Sequence, residues 1–144
     1  VARKCGQTLL ELVAATIIIS TAMVPTLRLT RNSLQMLDRV EQAERCHFFC
    51  VSTIEESMIL TSANWQMQPR MGDFSSMGWP NYRFQVTISD SPTEGGMPDA
   101  LAVINTLVWF DENGSGSAET EEVHCRLQTK LAKLQSYENE ANVQ

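Results

Sequence analysis

Apolar and polar positions along the chain follow three successive patterns. From Leu9 to Leu29 most positions are apolar and only Glu11 and Arg28 are charged, over about the 20 residues that a helix needs to cross the hydrocarbon of a bilayer. Pro25 interrupts this run, and a proline there predicts a kink because it removes one backbone donor. Beyond it, Leu34, Leu37, Val40, Phe48, Val51, Ile54 and Met58 recur at three- and four-residue steps. Charged residues such as Arg31, Asp38, Glu41, Arg45 and Glu56 fall between them. This spacing predicts that an amphipathic helix continues out of the apolar run and ends near Leu60.

Residues 61–81 then read as a loop, punctuated by Pro69, Gly72, Gly78 and Pro80. Trp65, Phe74, Met77 and Trp79 in this loop either pack over the helix or form a surface for a partner. Period-two alternation follows, with Tyr82, Phe84, Val86 and Ile88 on one face of a half-buried strand. Leu101–Phe110 is a second, more apolar strand, and residues 121–131 form a third, with Val123, Cys125 and Leu127 alternating. Turn-rich segments between them predict an antiparallel meander. The fold class is therefore α+β, a long N-terminal helix whose amphipathic half packs on a three- to four-stranded antiparallel sheet. Residues 135–144 read as a polar, frayed tail.

Charge changes the meaning of the opening run. Arg3 and Lys4 precede it, the asymmetry expected of a segment inserted with its N-terminus in the cytoplasm. A cleaved signal peptide should instead show a small-x-small site and a break into a mature domain. Here helical periodicity continues, and a buried core helix would have no use for a basic head. Glu11 is the anomaly: an unpaired carboxylate in an apolar segment costs about 3 kcal/mol or more. No Lys or Arg lies one turn away on the same helix. Its partner is therefore another chain, a lipid headgroup, or an α-amino group made by cleavage.

Gly6-Gln7-Thr8-Leu9-Leu10-Glu11-Leu12 resembles the prepilin-type N-terminal signal of type IV pilins and type II secretion pseudopilins. The resemblance implies a leader over residues 1–6, cut between Gly6 and Gln7 by a membrane-embedded prepilin peptidase that also N-methylates Gln7. Glu11 then stands at the fifth mature position, where the family's glutamate pairs with the N-terminal amine of a neighbouring subunit. Gln7 departs from the family, which usually carries Phe there. Residues 7–29 become a transmembrane and filament-core helix, and residues 30–134 a periplasmic pilin-like head.

In the head, "YRFQVTI" followed by "LAVINTLVWF", with Trp109 in the second strand, is similar to minor pseudopilins of the I type. That likeness implies a structural subunit, held in the bacterial inner membrane by a single pass and entering a periplasmic pseudopilus that drives protein export. The implied partners are major and minor pseudopilins at a filament tip, the prepilin peptidase, the inner-membrane secretion platform and membrane lipid. The alternatives are a minor type IV pilin of a pilus or competence system, and a membrane-tethered module binding calcium or a secreted substrate.

Composition narrows the function classes further. The net charge is −6, and the 11 Lys+Arg are scattered, with no basic stripe to track nucleic-acid phosphates. No P-loop, nucleophile elbow or paired catalytic motif is present, which speaks against an enzyme. Two clusters carry candidate chemistry. Asp111, Asn113, Ser115, Gly116 and Glu122 follow the order of an EF-hand-like loop, making Asp111, Asn113, Ser115 and Glu122 candidate calcium ligands. The same residues would equally build a solvated hairpin turn, and the flanks read as strands. Cys46 and Cys50 lie one helical turn apart. With Cys125 they read as core thiols, as a bridge from Cys50 or Cys46 to Cys125 (Cys50–Cys125 being the candidate disulfide), or, with His47 and His124, as a zinc site.

Overall fold

A computed structural model describes residues 4–133, with side chains from residue 9 onward. Residues 1–3 of the expected leader, the side chain of Gln7, and the expected tail at residues 135–144 lie outside what is described. The elements are helix α1 (Lys4–Asn64) and four strands, β1 (Arg70–Phe74), β2 (Trp79–Ser89), β3 (Leu101–Phe110) and β4 (His124–Ala132). The chain divides into two compact units, Val1–Val40 and Glu41–Gln144.

The described residues of the first unit are helix alone. From Leu9 to Val40 its apolar side chains are exposed, and Pro25 lies inside the helix. Hydroxyls that would be awkward in an apolar setting bond back to their own helix. Thr16 donates to Val13 O at 2.8 Å, Ser20 to Thr16 O at 2.7 Å and Thr26 to Ala22 O at 2.8 Å. Thr21, Thr30 and Ser33 do the same. Such back-bonding leaves no side-chain donor of these residues seeking water.

The second unit packs its stretch of α1 on a four-stranded antiparallel sheet of order β1-β2-β3-β4. Pairing is regular from Tyr82↔Phe110 to Ser89↔Val103, and from Leu101↔Ala132 to Trp109↔His124. β1 is the departure from the expected loop. It pairs with β2 from Arg70↔Val86 to Asp73↔Arg83 and then shifts register at Phe74. The helix reaches Asn64 rather than Leu60, and Trp65 N–H closes the last turn on Thr61 O at 2.7 Å. Trp65 itself takes a left-handed φ of 44°, which turns the chain away from the helix axis.

The stripe that α1 buries in this unit is Cys46, Phe49, Cys50, Thr53, Ile54, Ser57 and Thr61. Phe48, expected on the apolar face, is 67% exposed. The buried positions are mostly small, which lets the helix lie close to the strands. Ser57 satisfies its buried hydroxyl by donating to Thr53 O at 2.7 Å.

Two clusters form the core. One joins Cys46, Cys50 and Phe49 to Phe74, Tyr82 and Val108; the other joins Ile54 to Val86 and Ile104. Phe49 stacks on Phe74 at 4.2 Å and meets Tyr82 edge-on at 5.3 Å. Each such pair adds about 0.5–1.5 kcal/mol beyond area burial. The loop between β2 and β3 depends on Gly96, where a Cβ would lie 2.6 Å from the Asp90 carbonyl carbon.

Ile104 is fully buried beneath α1, whereas Leu107 is half-buried on the opposite face of the same strand. Ile104→Ala should therefore cost about 2–5 kcal/mol of stability and Leu107→Ala about 1. Urea unfolding of the two variants beside the unaltered protein measures the difference.

Candidate functional site

Three places carry chemistry. The first is the apolar N-terminal helix. The described helix from Leu9 contains an 18-residue window of mean hydropathy 1.8, none of it buried. One helix near the N-terminus is thus long and apolar enough to span a membrane. Glu11 sits exposed on it, and among the described residues no cation comes within ion-pair distance. The apolar neighbours Leu10 and Leu12 are equally exposed. A surface like this needs lipid or protein around it, because so large a contiguous apolar area is not stable in water.

The second place is the loop between β3 and β4. Asp111 is buried at the end of β3, and its Oδ2 lies 2.7 Å from Arg83 Nε in an ion pair. The N–H direction there is too oblique for an aligned hydrogen bond. The same oxygen accepts from Gly116 N–H at 3.0 Å. Gly116 has φ 78°, and its absent Cβ would lie 3.5 Å from an Arg83 guanidinium nitrogen. Arg83 pairs in register with Trp109, which is 2% exposed although it faces away from α1.

The other Asp111 oxygen, Oδ1, is buried without a hydrogen-bond partner, whereas oxygens of Asn113, Ser115 and Glu122 serve the turn itself. Asn113 Oδ1 accepts from Ser115 N–H at 2.7 Å, and Asn113 Nδ2 donates to Glu119 at 3.0 Å. Ser115 Oγ donates to Ser117 O at 3.2 Å. Glu122 caps two backbone donors, Glu112 N–H at 3.3 Å and Glu119 N–H at 3.2 Å. Asp111, Asn113, Ser115 and Glu122 are therefore neighbours in one loop, but each is engaged separately. No group of three or more metal-binding side chains is gathered among the described residues. The Arg83 guanidinium against Asp111 also opposes a cation at the first ligand position.

The third place is the thiol cluster between α1 and β4. Cys46 and Cys50 are buried, Cys125 is half-buried, and all three are free thiols. Cys46 Sγ lies 3.6 Å from Val123 O, while Cys50 Sγ lies 3.6 Å from both Thr106 O and Cys125 O. His47 and His124 are exposed. Burial pushes the Cys46 and Cys50 thiols up to about 12, with the neighbouring Cys125 adding to the shift.

Beside this cluster an open groove of about 570 Å³ is lined by Glu41, Glu44, Phe48, Met77 and Trp79. The Arg45 guanidinium lies 4.0 Å from the Trp79 ring centroid, a cation–π contact. Phe74 of the expected Trp/Met-rich loop packs on the helix, whereas Met77 stays exposed. The Arg83–Asp111 pair leaves no mark in the sequence because Arg83 lies on β2 and Asp111 just past the end of β3; only the register of β2 with β3 brings them together.

Comparison with protein families, with characterised proteins and with solved structures finds no match for this chain.

Two outcomes follow from these contacts. Asp111→Ala strands the half-exposed Arg83 and frees the Gly116 turn, so it should cost about 1–2 kcal/mol in urea unfolding. The thiols set an alkaline limit on stability. In the unfolded chain they ionise near the ordinary value of 9.0, whereas in the folded head they stay protonated up to about 12. The unfolded state therefore binds fewer protons in that window, and stability falls as pH climbs from 9.0 toward about 12. Cys46→Ala combined with Cys50→Ala should flatten this fall in denaturation under reducing conditions.

Proposed function

We propose that this chain is a pilin-like structural subunit, specifically a minor pseudopilin that enters a periplasmic pseudopilus of a type II secretion system. The observation that carries this reading is Glu11, a carboxylate with no cation partner among the described residues, on a stretch of α1 whose apolar side chains from Leu9 to Val40 are exposed. A carboxylate there is intelligible if a neighbouring subunit supplies a cation, and the prepilin-like Gly6-Gln7 junction would supply one. Cleavage after Gly6 makes an ammonium group at Gln7, one subunit's terminus meeting the next subunit's Glu11.

The exposed helix then has two hosts in turn. Before assembly it lies in the inner membrane with the head on the periplasmic side. After assembly it packs among the equivalent helices of other pseudopilins. The α+β head, with its helix on one face of an antiparallel sheet, suits a subunit that presents a folded domain at the filament surface. The chain acts as substrate of the prepilin peptidase and as cargo of the inner-membrane secretion platform, with no chemistry of its own required.

Two measurements test this reading. Mass spectrometry of the mature N-terminus should find a chain beginning at Gln7, and unchanged gel mobility after deletion of the peptidase would remove the processing claim. Glu11→Leu should leave the protein in the membrane while abolishing cross-links to neighbouring subunits and lowering secretion at least tenfold. Secretion and cross-linking that survive this change would sink the filament reading and leave a membrane-tethered module.

A further inference from the structure

The thiol cluster in the head has a geometry that the filament reading does not use. Cys46 and Cys50 occupy consecutive turns of α1, yet they face different points on the sheet. Cys46 Sγ meets the carbonyl of Val123, before β4 begins, whereas Cys50 Sγ meets the carbonyl of Cys125 itself. Cys125 belongs to the alternating set, with Leu127 and Leu131, that packs toward the helix. It is also the one thiol of the three that is not fully buried.

We propose that Cys50 and Cys125 form a disulfide on exposure to a thiol-oxidising partner, stapling α1 to the edge strand β4 and leaving Cys46 a free thiol.

The step is an ordinary exchange. An external disulfide, whether a small molecule or a disulfide-bonded oxidoreductase, is attacked by the accessible Cys125 sulfur as its thiolate. A mixed disulfide forms and one thiol leaves. The Cys50 thiolate then attacks the Cys125 sulfur, closing the protein bridge and expelling the second thiol. Two protein thiols are oxidised, one external disulfide is reduced to two thiols, and the protons from Cys50 and Cys125 pass to the leaving sulfurs. The second step is slow at neutral pH because burial keeps the Cys50 thiol protonated up to about 12. Bridge closure therefore belongs to the folding chain or to a locally opened head. The closed loop is long, since Cys50 and Cys125 are 75 residues apart, and long loops give the larger gains in stability.

The pairing rests on the head's geometry and stands whether or not the chain polymerises. The full chain, carrying Cys5→Ser to keep the N-terminal thiol out of the mapping, is held in detergent micelles with oxidised glutathione. Peptide mapping should find Cys50 linked to Cys125 with Cys46 alkylated only after denaturation. The closing rate should rise roughly tenfold per pH unit, and the melting temperature of the head should rise on the order of 10 °C. Cys46→Ala should keep the link and the shift, whereas Cys125→Ser, a change at the least buried of the three positions, should lose both while melting as a folded head. A protein that keeps Cys50 and Cys125 separately alkylated or glutathionylated, with an unchanged far-UV spectrum, overturns the proposal. A linked peptide containing Cys46 does so as well.

Discussion

Cys50, Thr53 and Ser57 let α1 come so near the sheet that a thiol reaches the Thr106 carbonyl at 3.6 Å. The rest of the head follows from this close approach. With the helix this near, the strand residues beneath it must be either small, like Ala102 and Thr106, or compact and branched, like Val86, Ile104 and Val108. Larger rings are pushed to one end, where Phe49, Phe74, Tyr82 and Phe110 form the aromatic cluster. At this spacing Ser57 and the thiols of Cys46 and Cys50 meet backbone carbonyls, while the Thr61 and Thr106 hydroxyls have no partner. Polar character in this core is thus a consequence of tight spacing between layers.

The sequence pattern made β2, β3 and β4 legible because one face of each is buried, so that hydrophobicity alternates. β1 escaped notice for the opposite reason. Its residues from Arg70 to Asp73 are half-buried or exposed, and what holds them in the sheet is backbone pairing that leaves no mark on side-chain polarity. The buried face of the helix is legible in part: Ile54 is buried and Met58 packs on the core, but Phe48 does not. Attention to large apolar side chains selects Phe48, but the helix turns its small residues inward and leaves Phe48 beside the open groove. In the Asp111 loop, residue order alone does not separate a cation cage from a turn that caps itself, since both want oxygens at alternate positions and glycines between them. What the folded loop adds is partners: Asp111 faces Arg83 and the Gly116 N–H, and Glu122 caps two backbone donors. Glu11 was legible outright, because its anomaly lies in composition rather than in tertiary contact.

The two units handle polar groups by opposite rules. Along the N-terminal helix, apolar side chains face outward while hydroxyls fold back on carbonyls of the preceding turn. In the head, charges lie outside and the small polar residues lie within. Neither pattern would suit the other's surroundings. A head with outward leucines would aggregate, and a lipid-facing helix with free hydroxyls would carry unmet donors. Glu11 is the exception on the first unit, as Asp111 is on the second. Asp111 has its compensating cation within the same unit, whereas Glu11 has none among the described residues.

The strand order β1-β2-β3-β4 has a consequence for how the head comes into being. Every ladder joins strands adjacent in sequence, so the sheet needs no long-range crossover to reach its final order. Each hairpin can close as soon as its second strand is available, and the entropic expense grows only slowly with the length of the connection. The distant partner is the helix, whose residues lie far upstream in sequence. The sheet can therefore offer α1 a finished face, with helix docking as the step that converts local pairing into a packed core.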